Sequence, residues 1–189
     1  MKEIRWHGRG GNGAFTAAKL LGSAASIFEG KYSQAFPSFG PERRGAPVMG
    51  FNRISDEVIT DHSQVYECDC VVVLDETLLE VTDVTAGMKE HAVLLVNTQS
   101  SAEEFKKEKN LKKAKHVYTI DATTIALDKL GRPIVNTVML GAMLGATDLV
   151  SWDALEKAIK DMMTGRLSEI NIDAAKIAYD AIKEDAAKC

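Results

Sequence analysis

The chain has 189 residues, of which 46% are hydrophobic and 26% are charged, and its formal net charge is −4. This composition predicts one globular domain over residues 1–189, and the slight acidity provides no overall field that would attract nucleic acid. No apolar stretch approaches the roughly 18 residues that span a membrane, and no apolar targeting segment precedes the first predicted strand, so we expect a cytoplasmic protein.

The three cysteines, Cys68, Cys70 and Cys189, match no common metal or disulfide framework. Disulfide-rich secreted proteins typically have an even number of cysteines, and iron–sulfur clusters need several closely spaced ones. We interpret Cys68 and Cys70 as small side chains at the entry of a buried strand. Any redox chemistry would therefore pass its electrons through another chain.

A glycine-rich turn near the start links a strand predicted at residues 4–6 to a helix predicted at residues 14–29 by its apolar spacing. The glycines at positions 8, 10 and 13 match the pattern of dinucleotide-binding turns. Such a turn directs backbone N–H groups and a helix N-terminus at an anion. The residues predicted to hold a phosphate group here are Gly8, Arg9, Gly10, Gly11, Asn12 and Gly13.

The residues that follow this helix argue against NAD as the ligand. Gly30 is predicted to end the helix, and a second strand, parallel to the first, is predicted at residues 31–36. NAD-binding folds place an acidic residue at the end of that strand to bind the ribose, whereas this strand leads into Pro37 without one. NADP and coenzyme A, which are both rich in phosphate, remain possible ligands. A turn that binds no ligand is also possible.

A stiff loop at residues 37–47 contains three of the four prolines and the adjacent pair Arg43 and Arg44. Proline and glycine disfavour helix and central strand alike. Because the loops at the carboxyl ends of strands border the ligand crevice of α/β sheets, we expect this loop beside the glycine turn. The alternative is a solvated surface connector.

The remaining strands are predicted from short apolar runs. Residues 48–55 and 58–60 are predicted to pair as an antiparallel hairpin, which makes the sheet mixed. The runs at 71–74 and 92–97 are typical of central parallel strands that are buried on both faces. Residues 116–120 form the last predicted strand.

Capping residues place the later helices. Asp75 either caps a short helix at 76–81 or faces the ligand crevice, and Ser100 with Glu103 forms a predicted capping box. Asp121 caps a helix at 122–130, and Asn136 caps a helix that is apolar nearly all round and must be buried in the chain's own core or in a partner. The last two helices are predicted at 152–163, capped by Ser151, and at 171–184. Together these elements predict a Rossmann-like three-layer α/β fold with a mixed, mostly parallel sheet, and with C-terminal helices, residues 136–186, packed on or beside it.

No set of residues predicts a catalytic centre or a metal site. The four histidines lack ligand spacing, no Ser–His–Asp arrangement can be assembled, and no nucleotide-hydrolysing phosphate loop is present. His7, next to the glycine turn, either donates to a phosphate or packs in the strand. The sequence thus predicts a binding module.

The chain closely resembles the gamma subunit of 2-oxoacid:ferredoxin oxidoreductases, with the pyruvate type as the best match. The resemblance rests on the Trp6–Gly13 turn, the loop at 36–47, the run at 53–56, the strand at 72–75 and the helix start at 136–141. The loop is the most specific of these features. One departure is Asn12, where the family usually has glutamine, also a neutral amide.

This resemblance implies that the chain belongs to an enzyme complex that converts pyruvate, coenzyme A and oxidised ferredoxin to acetyl-CoA, CO₂ and reduced ferredoxin. It implies thiamine diphosphate and magnesium on alpha and beta subunits, and iron–sulfur clusters mostly on a delta subunit. The gamma chain would help to hold coenzyme A and would support assembly, but would be inactive alone.

Carried over to this sequence, the resemblance assigns Gly8 to Gly13 to the phosphate groups. It puts Ser38, Arg43 and Arg44 at the face toward the ligand or toward a partner subunit, and Asn136 in the same pocket. Two alternatives stay open: a stand-alone NADP- or flavin-binding oxidoreductase, and a purely architectural subunit.

Overall fold

The computed structural model describes residues 1–38, 45–109, 111 and 114–188. Six strands form one sheet in the order β2-β3-β1-β4-β5-β6. The strands are β1 Lys2–Arg9, β2 Tyr32–Pro37, β3 Pro47–Ser55, β4 Cys68–Val73, β5 Met88–Asn97 and β6 His116–Ile120. The α-helices are α1 Ala14–Ser23, α2 Ala102–Glu108, α3 Ala122–Leu130, α4 Asn136–Thr147, α5 Trp152–Met162 and α6 Arg166–Ala186. The predicted α/β fold with a mixed, mostly parallel sheet is confirmed.

The position of β3 corrects two predictions. β3 pairs antiparallel with β1 on one side and with β2 on the other. β2 therefore runs in the predicted direction but does not neighbour β1. The predicted hairpin with residues 58–60 is wrong, because both edges of β3 are already occupied; those residues form no strand, and the hairpin in the structure is made by β2 and β3.

Apolar side chains alternate across β1 and divide the core in two. Ile4 and Trp6 point to the face covered by α1 and α3–α6, where they join one large cluster with residues from every one of these helices. The opposite face is thinner and is covered by α2, a 3₁₀ helix at Glu76–Glu80 and the segments around Val65 and Val84. The sheet is thus the middle layer of three.

The observed caps follow the sequence with two shifts of one residue. Ser101 and Glu104 form the capping box of α2, because the N–H of Ser100 already donates to the hydroxyl of Thr98. α4 begins at Asn136 itself, and Val135 stands at its N-cap without a side-chain hydrogen bond. The predicted caps of α3 and α5, by Asp121 and Ser151, are confirmed.

The apolar helix α4 is buried within the chain's own core, which resolves the two options left by the sequence. Residues 136–145 are all buried, and α6 packs along one side of the helix. A Cβ atom on Gly141 would lie 2.1 Å from the carbonyl oxygen of Ala175, and one on Gly145 would lie 2.5 Å from that of Tyr179. Among the described residues, none of the helices combines the length and the apolar character needed to cross a membrane.

Candidate functional site

The glycine turn begins later than the sequence predicts. Gly8 lies inside β1, opposite Val48, and a Cβ atom there would lie 3.0 Å from that of Ala14. Its lack of a side chain therefore lets α1 begin close to the strand. Gly10 starts the turn proper: its N–H donates to the carbonyl of Ala46 over 2.8 Å, and its own carbonyl accepts from the N–H of Gly45 over 3.1 Å. The end of the proline-rich loop is thus bound to the turn, on the predicted side of the sheet.

Two helix N-termini meet at this turn. Gly13 stands at the N-cap of α1 with φ 77°, and neither this position nor the N-cap of α4 supplies a side-chain cap. Neither helix has an acidic residue in its first turn. A Cβ atom on Gly13 would lie 2.7 Å from Nδ2 of Asn136, so the two helix ends are in contact. Their partial positive charges therefore add at one place.

The side chain of Asn136 is available at this meeting point. The residue is only 6% exposed, and no other described residue hydrogen-bonds to its amide group. Because Asn136 is the first residue of α4 rather than its cap, its side chain is not used by the helix itself. Since no buried side-chain polar atom of the described residues lacks a partner, the Asn136 amide keeps some contact with solvent, and a ligand or water can complete its hydrogen bonds.

Arg9, which the sequence analysis assigns to a phosphate group, is paired within the chain. Its guanidinium donates to Asp75 over 2.8 Å, to the hydroxyl of Thr77 over 2.7 Å and to the carbonyl of Gly45 over 3.1 Å. Burial raises the pKa of the Asp75 carboxyl, but the hydrogen bonds from Thr77 and Arg9 outweigh it, and the pKa lies below its ordinary value. Asp75 was predicted either to cap a helix or to face the crevice. It caps the 3₁₀ helix, and it also lines the cavity at the carboxyl ends of the strands.

This ion pair spans the switch point of the sheet. From β1 the chain continues to β2 on one side, and β4, β5 and β6 extend to the other. In open α/β sheets, ligands bind where the strand order reverses in this way. The Arg9–Asp75 pair ties the carboxyl ends of β1 and β4 together there, with both side chains about a quarter exposed.

A cavity of about 320 Å³ continues from the turn along the carboxyl ends of β4, β5 and β6. Asn12 borders it near the turn, and Asn97 bridges its floor by donating to the carbonyl of Leu74 and the hydroxyl of Thr123, each over 3.0 Å. Its walls carry Asp75 and Asp121. Asp121 makes the far end unfavourable for an anion, whereas the charge of Asp75 is paired with Arg9. Asn12 of the turn and Val135, at the N-cap of α4, also line the cavity. The sequence analysis did not single out Asn97, the last residue of β5, and it treated Asp121 only as a helix cap. The signal it missed was a polar residue at or within two positions of the end of each of these three strands.

The loop residues assigned to the site are only partly brought to it. Ser38 lies at the same end of the sheet, but its N–H donates to the carbonyl of Met49 over 2.8 Å and its hydroxyl accepts from the N–H of Met49 over 3.3 Å. Its polar groups thus extend the pairing of β2 with β3. Arg43 and Arg44 lie outside the described residues.

The geometry strengthens the sequence argument against NAD. The ribose-binding acid of such folds follows the strand next to β1 on the α1 side. Here β3 occupies that place and runs in the opposite direction, while β2 ends at Pro37 two strands away from β1.

His7 lies on the opposite face of the sheet from α1 and packs rather than binding a ligand. It is 4% exposed, and its Nε2 accepts a hydrogen bond from Nε of Arg5 over 2.9 Å. Burial and the neighbouring Arg5 guanidinium lower the pKa of His7 to about 3. Arg5 in turn donates to the carbonyls of Val84 and Ala86, so this buried pair fastens the thin layer to β1.

The buried His7 predicts a loss of stability in mild acid. Its pKa of about 3 in the folded chain lies below the ordinary value of 6.5, so below about pH 6.5 the unfolded chain binds a proton that the folded chain does not. The free energy of unfolding should fall by about 1.4 kcal/mol between about pH 7.5 and about pH 5.5 through this group alone. Urea unfolding of the wild type and His7→Gln, which keeps an acceptor but does not titrate, measures the difference. Parallel pH profiles for the two proteins would contradict this assignment.

The two described cysteines are packed in the sheet and are unsuited to metal binding. Burial raises the pKa of the Cys68 thiol to about 11 and raises that of Cys70 further, whereas metal ligation requires thiolates. Within the described ranges, no group of three or more His, Cys, Asp or Glu side chains is arranged to hold a metal ion. The interpretation of both cysteines as small side chains of a buried strand is confirmed.

The chain is similar over nearly its whole length to subunits of known oxidoreductases. The sequence model of the pyruvate ferredoxin/flavodoxin oxidoreductase family matches residues 3–181. The chain is 58% identical over 183 residues to the pyruvate synthase subunit PorC of Methanothermobacter marburgensis, covering 97% of this chain and 98% of that protein. It is 56% identical over 180 residues to the common gamma subunit of the pyruvate/ketoisovalerate oxidoreductases of Pyrococcus abyssi, covering 95% and 96%.

A solved structure shows the same fold. The pyruvate oxidoreductase subunit PORC of Thermotoga maritima superimposes with a TM-score of 0.80 at 41% sequence identity, with 95% of each chain covered. The overall fold is therefore shared with a subunit of similar sequence.

Proposed function

Since the chain belongs to the pyruvate ferredoxin/flavodoxin oxidoreductase family, as a gamma-type subunit, we propose that it helps to bind coenzyme A in a multisubunit 2-oxoacid:ferredoxin oxidoreductase. The complex would catalyse oxidative decarboxylation of pyruvate to acetyl-CoA and CO₂, or the reverse reaction. This chain would hold the phosphate-bearing part of the substrate and would not itself carry the reacting atoms.

One observation carries the proposal: the two uncapped helix N-termini that meet at Gly13 and Asn136. α2, α3 and α5 each begin with a serine or aspartate that accepts a hydrogen bond from their first turn. The absence of such a cap from both α1 and α4 leaves their first N–H groups for another acceptor. A pyrophosphate supplies several acceptor oxygens with a negative charge, which suits such a place.

The remaining chemistry is assigned to other chains. Thiamine diphosphate and magnesium would lie on alpha and beta subunits, and iron–sulfur clusters, which pass electrons to ferredoxin, mostly on a delta subunit. The buried thiols of Cys68 and Cys70 support this division, because neither is free to hold a cluster. The relative from Pyrococcus abyssi is named as common to pyruvate and ketoisovalerate oxidoreductases, which supports the view that other subunits select the 2-oxoacid.

A purely architectural role is the second candidate, and the pairing of Arg9 supports it. Three of the five N–H groups of this guanidinium are used inside the chain, so a phosphate at the turn would receive less help from Arg9 than the sequence suggested. In that case coenzyme A would bind to the other subunits alone.

Calorimetric titration of the assembled complex tests whether the phosphate-bearing part of coenzyme A contributes to its binding. Coenzyme A and dephospho-coenzyme A, which both contain the pyrophosphate, should bind with similar affinity. Pantetheine, which has no phosphate, should bind roughly tenfold or more weakly, since each lost charge-assisted hydrogen bond is worth about 1.5–3 kcal/mol. Equal affinities for all three compounds would overturn the proposed role of the helix N-termini.

A further inference from the structure

We propose that the outer edge of β6 is a docking site for an extended, basic segment of a partner subunit, which adds a seventh strand to the sheet. This inference rests on the subunit role proposed above and concerns the outer edge of the sheet, where the groove shares Thr98, Gln99 and Asp121 with the far end of the cavity. β6 is the last strand of the sheet, on the opposite side of the switch point from β2 and β3.

The backbone of β6 offers hydrogen-bonding groups on its outer side. β6 pairs in parallel with β5, and the carbonyl of Ile120 accepts from the N–H of Thr98 on the β5 side. Because backbone groups alternate between the two sides of a strand, the N–H and C=O groups of Val117 and Thr119 point outward. These two residues provide two donors and two acceptors, which is what an added strand requires.

A groove of about 730 Å³ runs along this edge. The first turn of α2 forms one wall, and the end of α6, with Asp185 and Lys188, forms the other. Because α2 and α6 cover opposite faces of the sheet, the groove lies between the two outer layers, in the plane of the sheet. A single strand inserted there would be covered on both faces, as the strands inside the sheet are.

The other sheet edge shows how this protein blocks a strand from further pairing. β2 ends with Pro37 and is preceded by Lys31, and proline and lysine are the residues that typically protect an exposed edge. The five residues of β6 include no proline, although Lys115 precedes β6 as Lys31 precedes β2. Proline is therefore what distinguishes the two edges, and the outward backbone N–H groups of β6 are left able to pair.

Charge identifies the kind of segment that fits. Four carboxylates, from Glu103, Glu104, Asp121 and Asp185, border the groove, against the ammonium groups of Lys106 and Lys188. Lys188 lies 3.2 Å from Asp185, and Lys106 donates to the carbonyl of Lys115. The remaining negative charge favours a segment that carries lysine or arginine.

The test compares Thr119→Pro with Thr119→Val in the full-length chain, co-expressed with its partner subunits. Proline removes the outward N–H but no hydrogen bond to β5, and it is tolerated at a sheet edge, whereas valine keeps that N–H. We expect recovery of the assembled complex to fall roughly tenfold or more for the proline variant, as the loss of about 1.4 kcal/mol implies, and to be unchanged for valine. Thermal unfolding of both variants checks that the proline variant still folds.

A second comparison reverses the charge. Glu103→Lys with Asp185→Lys should weaken assembly, while the matched pair Asp153→Lys with Asp180→Lys, placed in the first turn of α5 and on the exposed side of α6, should not. In the wild-type complex, hydrogen exchange at Val117 and Thr119 should slow relative to the chain alone. If the complex assembles while these amides exchange at unchanged rates, the groove proposal is overturned and the subunit role stands. Protection in the isolated chain that rises with its concentration would show a second copy in the groove and would also overturn it; failure of the wild type to assemble would overturn both proposals.

Discussion

Replacing Gly141 with alanine is expected to destabilise the chain by about 3 kcal/mol. The added Cβ atom would lie 2.1 Å from the carbonyl oxygen of Ala175 and 2.7 Å from its carbonyl carbon. Both are backbone atoms, so no side-chain rotation relieves the overlap, and α6 must move away from α4. The free energy lost when α6 packs less closely against α4 outweighs the gain of about 1 kcal/mol from the higher helix propensity of alanine. Urea unfolding followed by circular dichroism measures the difference.

Gly22→Ala is the matched control, since this glycine also lies within a helix and is buried. The atom nearest to the added Cβ would be the Cβ of Ala35, at 3.3 Å. At this distance the neighbouring side chain needs to move by only a few tenths of an ångström. We expect a change within about 1 kcal/mol of zero, because a gain in helix propensity offsets the tighter contact. Equal stability of the two variants would mean that α4 and α6 do not pack at the observed distance.

Asn136→Asp is expected to weaken coenzyme A binding roughly ten- to a hundredfold while leaving the chain folded. The change adds one negative charge at the meeting point of α1 and α4 without altering the size of the side chain. An acidic residue at the start of a helix is favourable for the helix itself, so the free energy of unfolding should be unchanged or higher. Loss of affinity in a protein that is at least as stable is a result that a damaged fold would not produce.

Calorimetry of the assembled complex with coenzyme A provides the measurement, and Gln64→Glu provides the control. Gln64 is exposed, in a segment on the face of the sheet opposite to α1 and α4. Gln64→Glu therefore changes the net charge by the same amount as Asn136→Asp, but at a distance from the turn. We expect its affinity to equal that of the wild type. An Asn136→Asp complex that binds coenzyme A normally would show that the two helix N-termini do not hold its phosphates.

Features set by neighbours in the sequence could be predicted. The glycine turn between β1 and α1, the buried run of β4 and the aspartate that caps α3 all depend on residues within a few positions of one another. The capping residues of α2 and α4 were shifted by one residue, as with Asn136, whereas α6 begins five residues before its predicted start at residue 171. A shift of one residue still matters, because it changes Asn136 from a cap into a side chain that is available to the site.

Features set by distant parts of the chain could not be predicted. Asn52 has no exposed surface; it accepts from the indole N–H of Trp6 and donates to the carbonyl of Ala18. These bonds lock β3 between β1 and α1, yet nothing near Asn52 in the sequence indicates them. Arg53 similarly pairs with Glu3 over 2.9 Å and donates to the carbonyl of Ser63, also on distant segments. The same limit applies to the site, where Gly13 meets a residue more than a hundred positions away.

The central position of β1 determines when the chain can begin to fold during synthesis. This strand is made first, but its two neighbours, β3 and β4, end at residues 55 and 73. A nascent chain that has reached residue 45 therefore contains β1 without either of its neighbouring strands. Because its partners lie far along the sequence, the unpaired strand is exposed to misassociation during this time. The ion pair between Arg9 and Asp75 likewise cannot form until Asp75 has left the ribosome. The residues of the glycine turn are thus synthesised well before the strands and the carboxylate that complete their surroundings.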